Sequence, residues 1–207
     1  MSEYIKYPRT PHFSWSNPSN DDKIIESLEG FKNREIIISE KMDGECTSMY
    51  IDHIHARSLE FLLGDNCSFV KVIWHKIRNY IPNNWRICGE NMQAVHSIFY
   101  NNLKSYFLVY SIWNEENICL SWKETEEWCE LLGLTTVPIL FKGMWNEQYV
   151  KNLKMEKKQE GYVVRIADNF KYKDFSQYTA KYVRPNHVQT DKHWKNSKIV
   201  LNKLKEN

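Results

Sequence analysis

Lys41 is the first residue whose surroundings suggest chemistry. It lies in the stretch EKMDGE at positions 40–45, with Glu40 directly before it and Asp43 shortly after it. This stretch can be an exposed turn between two strands, because an Asp-Gly pair favours tight turns. It can also present a lysine nucleophile, provided that the surroundings favour the neutral amine. Other segments of the sequence are needed to choose between the two interpretations.

Further short segments with chemically useful side chains follow EKMDGE. Each is too short to indicate a function alone, and their fixed order along the chain makes them informative as a set. They are HARS at 55–58, CGEN at 88–91, FLVYSI at 107–112, EGYVVR at 160–165 and AKYVR at 180–184.

In this order the segments resemble the motifs of the covalent nucleotidyltransferase superfamily, which contains RNA ligases, DNA ligases and mRNA capping enzymes. The RNA ligases look most similar, and the segments KYPRTPH at 6–12 and KYVRPNHVQTDKHW at 181–194 strengthen that likeness. The resemblance implies an α+β nucleotidyltransferase (ATP-grasp-like ligase) domain, in which two curved antiparallel sheets are flanked by helices and hold ATP between them.

The resemblance also implies an activity, namely ATP-dependent joining of 5′-phosphate and 3′-hydroxyl RNA ends through a lysyl-AMP intermediate, in RNA repair or processing. Lys41 would be the nucleophile, and Lys181 would contact the α-phosphate. Glu90 would accept a hydrogen bond from the ribose, Phe107 would stack on adenine, and backbone near Glu40 would recognise the adenine amino group. The implied nucleotide-binding residues are Glu40, Arg57, Glu90, Phe107, Glu160 and Lys181.

Magnesium or manganese is the implied metal cofactor, with Glu160 and Asp43 as its candidate ligands, since hard cations prefer carboxylate oxygen and water. RNA phosphates are expected at Arg57, Arg165 and Arg184. A lysine nucleophile needs a lowered pKa, which neighbouring cations and desolvation can provide. We therefore expect the Glu40 and Asp43 carboxylates to point away from the amine.

Lys41→Ala is expected to abolish formation of the enzyme-AMP adduct and to leave the fold intact, because an exposed side chain in a cleft contributes little core packing. One branch of the RNA ligases and the DNA ligases carry two lysines in a KxK pattern in the final motif. Here Val183 follows Lys181 at that spacing, so either Arg184 or Lys173 compensates or the RNA contacts differ.

Three alternatives stay open on the residues alone. A DNA ligase or a GTP-using mRNA capping nucleotidyltransferase would share the lysine chemistry. Both use an OB-fold domain, for which too few residues follow Arg184. A non-catalytic module that binds RNA ends would need the basic C-terminal segment but not the full set of Lys41, Glu90, Glu160 and Lys181.

Hydrophobic patterning predicts the elements that position these residues. A capping box formed by Ser121 and Glu124, with Gly133 as the stop, supports the second of three predicted helices. Strands are predicted at 35–39, 47–54, 85–92, 106–113, 136–141, 161–166 and 178–183, and helices at 69–80, 121–132 and from about 188 to 207. Lys41 then ends one strand, and Asp43-Gly44 forms a hairpin-like turn into the next.

Composition predicts one compact domain over residues 1–207. The chain is 42% hydrophobic and 14% aromatic, and no apolar run is long enough to span a bilayer. The start of the chain lacks a secretory signal, and the cysteines form no CxxC pair, so we expect an intracellular, cytoplasmic protein with no membrane partner and no obligatory protein partner. The formal net charge is only +2, but the last part of the chain is strongly basic, which favours a polyanion such as RNA as the partner.

Overall fold

Two β-sheets form the frame of the protein in a computed structural model that describes residues 4–16, 18, 22–59, 68–185 and 199–206. The strands are β1 (Glu35–Lys41), β2 (Glu45–Met49), β3 (Ile54–Ala56), β4 (Arg86–Asn91), β5 (Phe107–Trp113), β6 (Ile118–Cys119), β7 (Thr135–Thr136), β8 (Ile139–Met144), β9 (Gly161–Ile166), β10 (Phe170–Lys171) and β11 (Thr179–Val183). The helices are α1 (Ser68–Ile77), α2 (Trp122–Leu132), α3 (Glu147–Lys151) and α4 (Phe175–Tyr178).

The first sheet has the strand order β11-β9-β1-β8 and is antiparallel throughout. Its central strand β1 contains a run of three isoleucines, and burial on both faces is typical of such a continuous apolar run. Ile36 and Ile38 are completely buried on one face, while Ile37 packs into a separate cluster on the other. The pairing of β1 with β9 places Lys41 opposite Gly161, which brings the ends of two predicted motifs together.

The second sheet has the order β10-β6-β5-β4-β2-β3, and β7 adds to β5 as a parallel strand. One face of this sheet joins the core that it shares with the first sheet, through Cys88 and Trp113. Its other face packs against α1 and α2, with Val70, Trp74 and Cys129 contributing from the helices. The mixed α+β architecture with two sheets confirms the predicted fold class.

The helix α2 forms as its sequence signals indicate. The Ser121 hydroxyl accepts a hydrogen bond from the backbone N–H of Glu124, and the Glu124 carboxylate accepts one from the backbone N–H of Ser121. Gly133 ends the helix with a φ of 65°, a left-handed conformation that glycine adopts without strain.

Three predictions about the elements need correction. The connection at Asp43-Gly44 is no hairpin, because β1 and β2 belong to different sheets and the chain crosses between them there. The predicted strand at 47–54 is interrupted by a tight turn, in which the Tyr50 N–H donates to the His53 carbonyl. Of the predicted C-terminal helix, residues 188–198 lie outside the described residues, and residues 199–206 are extended and form isolated bridges with residues 94 and 103.

Candidate active site

A single pocket gathers most of the residues that the sequence motifs predict. Its lining includes Lys41 from the end of β1, Glu90 from β4, Lys181 from β11 and Arg57 from the loop after β3. These four residues come from distant parts of the chain and from both sheets. The pocket therefore depends on the tertiary fold and lies where the two sheets meet.

Lys41 forms an ion pair with Glu160 inside this region. The Lys41 Nζ lies 2.6 Å from the Glu160 Oε2, and the two side chains are 24% and 8% exposed. Glu160 directly precedes β9, and Gly161 allows the close approach of β11, because a Cβ at that position would lie 1.9 Å from the Tyr182 carbonyl oxygen. Gly161 thus lets β9 pack closely against β11, and Glu160, directly before β9, lies next to Lys41.

The charge around Lys41 differs from the sequence expectation. Burial lowers the pKa of Lys41, but the neighbouring carboxylates of Glu160 and Glu90 act in the opposite direction and leave it above its ordinary value. Lys41 is therefore held as an ammonium group. The lowered pKa that we expect for a lysine nucleophile would require less negative charge around the Lys41 amine.

Asp43 and Glu40 point away from the amine, as expected. The Asp43 Oδ2 accepts hydrogen bonds from the backbone N–H groups of Ser97 and Ile98 at 2.7 and 2.8 Å. The Glu40 Oε2 accepts one from the Gln159 side chain at 3.1 Å. Both carboxylates thus fix neighbouring loops around the EKMDGE segment.

Glu90 and Arg57 supply two further polar groups to the pocket. The Glu90 Oε1 accepts a hydrogen bond from the Gly44 N–H at 3.2 Å. Burial raises the pKa of Glu90 to about 8 despite the opposing effect of Lys41, so this carboxyl group is mostly protonated at pH 7. Arg57 has a buried Nε without a hydrogen-bond partner in the described part of the chain. Because buried donors are rarely left unpaired, this nitrogen is suited to a bound ligand.

Lys181 is held in place by residues from the N-terminal segment. Its Nζ lies 4.0 Å from the Asp22 Oδ1, and the Asp22 Oδ2 lies 3.3 Å from the His12 Nε2. The backbone N–H of Phe13 donates to the Lys181 carbonyl at 2.9 Å, and the Lys181 N–H donates to Pro11. Burial and nearby Lys41 lower the pKa of Lys181, while Asp22 opposes this shift.

Phe107 does not border the pocket, so this geometry does not support its predicted role in stacking on adenine. Its ring is completely buried with Val109 against the side of the sheet that carries α1 and α2. Because strand side chains alternate between faces, Tyr110 points to the opposite side and lines the pocket. Tyr110 meets Tyr7 edge to face with 5.0 Å between ring centroids, and its hydroxyl donates to the Cys46 Sγ at 3.0 Å.

Arg165 and Arg184 make structural contacts with the backbone, while their contacts with RNA stay a prediction. The Arg165 guanidinium is buried and donates to the backbone carbonyls of Ile166 and Leu120 at 3.0 and 2.7 Å. The Arg184 guanidinium donates to the carbonyls of Gln159 and Lys157, both at 2.7 Å. Since guanidinium donors that bind the backbone in this way are already satisfied, Arg184 fixes the loop before Glu160 and Arg165 fixes the turn after β9.

Glu160 fits a divalent cation better than Asp43 does. Magnesium is commonly held by one or two carboxylates together with water and phosphate oxygens, and Glu160 lies beside both Lys41 and the pocket. The Asp43 Oδ2 is occupied by two backbone N–H groups on the 97–98 side. Within the described ranges, no three His, Cys, Asp or Glu side chains converge as a preformed metal site.

The sequence motifs missed several residues of the pocket. Tyr7, Arg9 and Thr10 come from the N-terminal segment, and Tyr110 and Ser111 come from β5. In the FLVYSI segment the sequence favours Phe107 as the aromatic residue of the site, whereas Tyr110 lines the pocket. Strand alternation offers two sets of side chains, and the packing of α1 and α2 against one face shows that the other set faces the pocket.

Comparison with known proteins identifies the family. A family model described as RNA ligase matches residues 34–183, which is more than half of the chain. The chain belongs to the RNA ligase family, which confirms the resemblance drawn from the motifs. Comparison with curated proteins finds no relative with significant similarity.

Solved structures of a Naegleria gruberi RNA ligase have a similar fold. The form with PPi gives a TM-score of 0.56 at 19% identity, and covers 90% of this chain and 63% of that chain. A variant with ATP and Mn gives 0.55 at 19% identity, with 90% and 62% covered. Another variant, with AMP and Mn, gives 0.55 at 17% identity, with 89% and 63% covered. The chain thus spans a little over three fifths of the Naegleria ligase, and the likeness concerns the fold.

Across the described residues of this chain, no helix combines the length and apolarity needed to cross a membrane.

Proposed function

We propose that this protein is an ATP-dependent RNA ligase that joins a 5′-phosphate to a 3′-hydroxyl through a lysyl-AMP intermediate. The convergence of Lys41, Arg57, Glu90 and Lys181 on one pocket supports this proposal most directly. A turn that merely connects two strands would not require the ends of four distant segments to meet. The family membership supports RNA as the substrate.

Three transfers make up the proposed reaction. Lys41 attacks the α-phosphorus of ATP, forms a P–N bond and releases pyrophosphate. The AMP group then moves to the 5′-phosphate of RNA, which forms a pyrophosphate bond and frees Lys41. Finally the RNA 3′-hydroxyl attacks the activated 5′-phosphate, forms the phosphodiester and releases AMP.

The residues of the pocket would position and neutralise the phosphates, which is the main requirement of phosphoryl transfer. Lys181 lies close enough to Lys41 for that lysine to lower its pKa, and it is our choice for the α-phosphate contact. The unpartnered Nε of Arg57 would donate to the ribose or to a phosphate oxygen. Glu90 would bind the ribose, and Tyr7 and Tyr110 would supply an aromatic surface for the base.

Lys41 must lose its proton and leave Glu160 before it can attack. In the ligand-free protein the ion pair at 2.6 Å opposes both changes. We propose that Glu160 also binds the divalent cation, Mg²⁺ or Mn²⁺, which would supply the positive charge that favours a neutral amine. Arg184 contributes indirectly, because its hydrogen bonds hold the loop on which Glu160 lies.

Intact-protein mass spectrometry after incubation with Mg²⁺ and ATP tests this proposal, with GTP and NAD in parallel. We expect one acid-labile AMP adduct from ATP in the wild type. Lys41→Arg should form none, since it keeps a cation beside Glu160 but removes the nucleophile. Lys123→Ala is the control, because Lys123 is 87% exposed on α2. This variant protein should form the AMP adduct at the wild-type rate.

The same samples separate the alternatives. An adduct from GTP alone would indicate capping chemistry, and joining of labelled DNA ends but not RNA ends would indicate a DNA ligase. A folded protein that forms no adduct with any nucleotide, after treatment with pyrophosphate to clear bound AMP, would contradict the proposed function and favour a module that binds RNA ends.

A further inference from the structure

Asn202 is an unusual residue in the C-terminal segment 199–206. It is 1% exposed, although its neighbour Leu201 is 50% exposed. Its side-chain Nδ2 donates to the carbonyls of Met92 and Ala94 at 2.7 and 3.2 Å, and its Oδ1 accepts from the Tyr100 N–H at 2.8 Å. A buried amide whose donors and acceptor are all used in this way holds its partners in one arrangement.

These bonds fix a segment that has little regular structure of its own. Residues 93–105, here called the Asp43-binding segment, contain neither helix nor named strand. They pair instead with the C-terminal segment, through the Asn202 N–H to Gln93, the Val95 N–H to Val200 and the Lys203 N–H to Tyr100. The order of the Asp43-binding segment thus depends on residues about a hundred positions further along the chain.

The Asp43-binding segment in turn fixes the stretch that carries Lys41. The N–H groups of Ser97 and Ile98 hold the Asp43 carboxylate, and the Tyr100 hydroxyl accepts from the Asp43 N–H at 3.2 Å. Tyr100 therefore contacts Asn202 through its backbone and Asp43 through its side chain. Hydrogen bonds thus lead from Asn202 through Tyr100 to Asp43, which lies two residues after Lys41 at the end of β1.

We propose that Asn202 is a positioning residue for the attack by Lys41. It holds the Asp43-binding segment, which holds Asp43 and so sets the direction in which Lys41 leaves β1. This inference rests on the proposed function of Lys41 as the nucleophile. Asn202 touches neither the pocket nor the reacting groups, and the nucleotide-binding residues Arg57 and Lys181 lie on other elements.

The test uses the full chain with Asn202→Asp and Asn202→Ala. Asn202→Asp keeps the shape but places an oxygen against two carbonyl oxygens, and Asn202→Ala is the milder change if the first variant folds poorly. Lys203→Ala is the matched control, because Lys203 is exposed and its hydrogen bonds to Tyr100 and Leu103 are made by its backbone.

Single-turnover adenylylation separates alignment from binding. We expect the rate at saturating ATP to fall roughly 10- to 100-fold in the Asn202 variants, since small misplacements of reacting groups cost rates of this order. The KM for ATP should change by less than about threefold, because binding does not depend on the angle of attack. Hydrogen exchange at the Ser97 and Ile98 amides should accelerate, while Lys203→Ala should match the wild type in every measurement.

Coupling to Asp43 provides a second criterion. If Asn202 acts through Asp43, then Asn202→Ala should have little further effect on the rate in an Asp43→Ala background. Independent effects of the two changes, or a rate that falls only in proportion to the folded fraction, would overturn the proposal. A wild type that forms no adduct would refute the proposed function instead. The exchange of the two amides would then still show whether Asn202 fixes the segment.

Discussion

Removal of the positive charge at Lys41 should destabilise the protein, contrary to the expectation from sequence. That expectation treated Lys41 as an exposed side chain in a cleft. The structure pairs it at 2.6 Å with a Glu160 side chain that is only 8% exposed. In Lys41→Met, the aliphatic packing is largely kept, and the buried Glu160 carboxylate loses its ion pair with Lys41.

The size of the effect follows from the burial of the pair. Removal of one partner of a buried ion pair typically costs about 3–5 kcal/mol of stability. Because the Lys41 side chain is 24% exposed, water reaches the remaining carboxylate and keeps the cost near the lower end of this range. We therefore expect Lys41→Met to lower the free energy of unfolding by about 3 kcal/mol at pH 7.

Urea denaturation at pH 7, followed by tryptophan fluorescence, measures this loss of stability.

Two further variants isolate the ion pair. Lys41→Arg keeps the charge and should lose clearly less stability than Lys41→Met. The double variant Lys41→Met/Glu160→Gln replaces the Glu160 carboxylate by a neutral amide and should be more stable than Lys41→Met alone. Two results would contradict this reasoning: Lys41→Met unfolds at the wild-type urea concentration, or the double variant is no more stable than Lys41→Met. In either case the ion pair between Lys41 and Glu160 does not stabilise the protein.

Three other predictions concern single residues. Glu90→Gln should keep most of the ATP affinity at pH 7, where the pKa of about 8 leaves the carboxyl group mostly protonated, and should lose the wild-type pH dependence near pH 8 in titration calorimetry. The burial of His12 lowers its pKa to about 4, so the wild type should lose up to about 3 kcal/mol more stability than His12→Gln as the pH falls from 6.5 to 4. Tyr110→Leu should weaken ATP binding with little effect on the melting temperature, whereas Phe107→Leu should lower the melting temperature and leave the affinity of the folded fraction unchanged.

The local sequence signals predicted the elements well where one short segment decides the outcome. The strand 161–166 has its predicted bounds, and the helix after Ser121 begins and ends with the caps that the sequence shows. The predicted strand at 136–141 is interrupted at Pro138, whose nitrogen has no hydrogen to donate to a neighbouring strand. It divides into the short β7 and the longer β8, and the Pro138 carbonyl instead accepts from Glu40.

The site was less predictable, because its geometry depends on contacts between distant segments. The motifs named Lys41, Glu90 and Lys181 correctly as residues of one pocket. They did not show that Arg184 would bind backbone carbonyls, since an arginine beside a strand looks the same in sequence whether it faces RNA or its own loop. The pairing of Lys41 with Glu160 also required knowledge that β1 lies next to β9.

Carboxylates balance both lysines of the ligand-free site. Lys41 and Lys181 are close enough for each to influence the other, and two unpaired cations in a partly buried pocket would repel each other. Glu160 at 2.6 Å and Asp22 at 4.0 Å supply the opposing charge. A bound triphosphate would take over that neutralising role. On the proposed function, nucleotide binding is therefore an exchange of partners, in which Lys41 leaves Glu160 and Lys181 turns from Asp22 to phosphate.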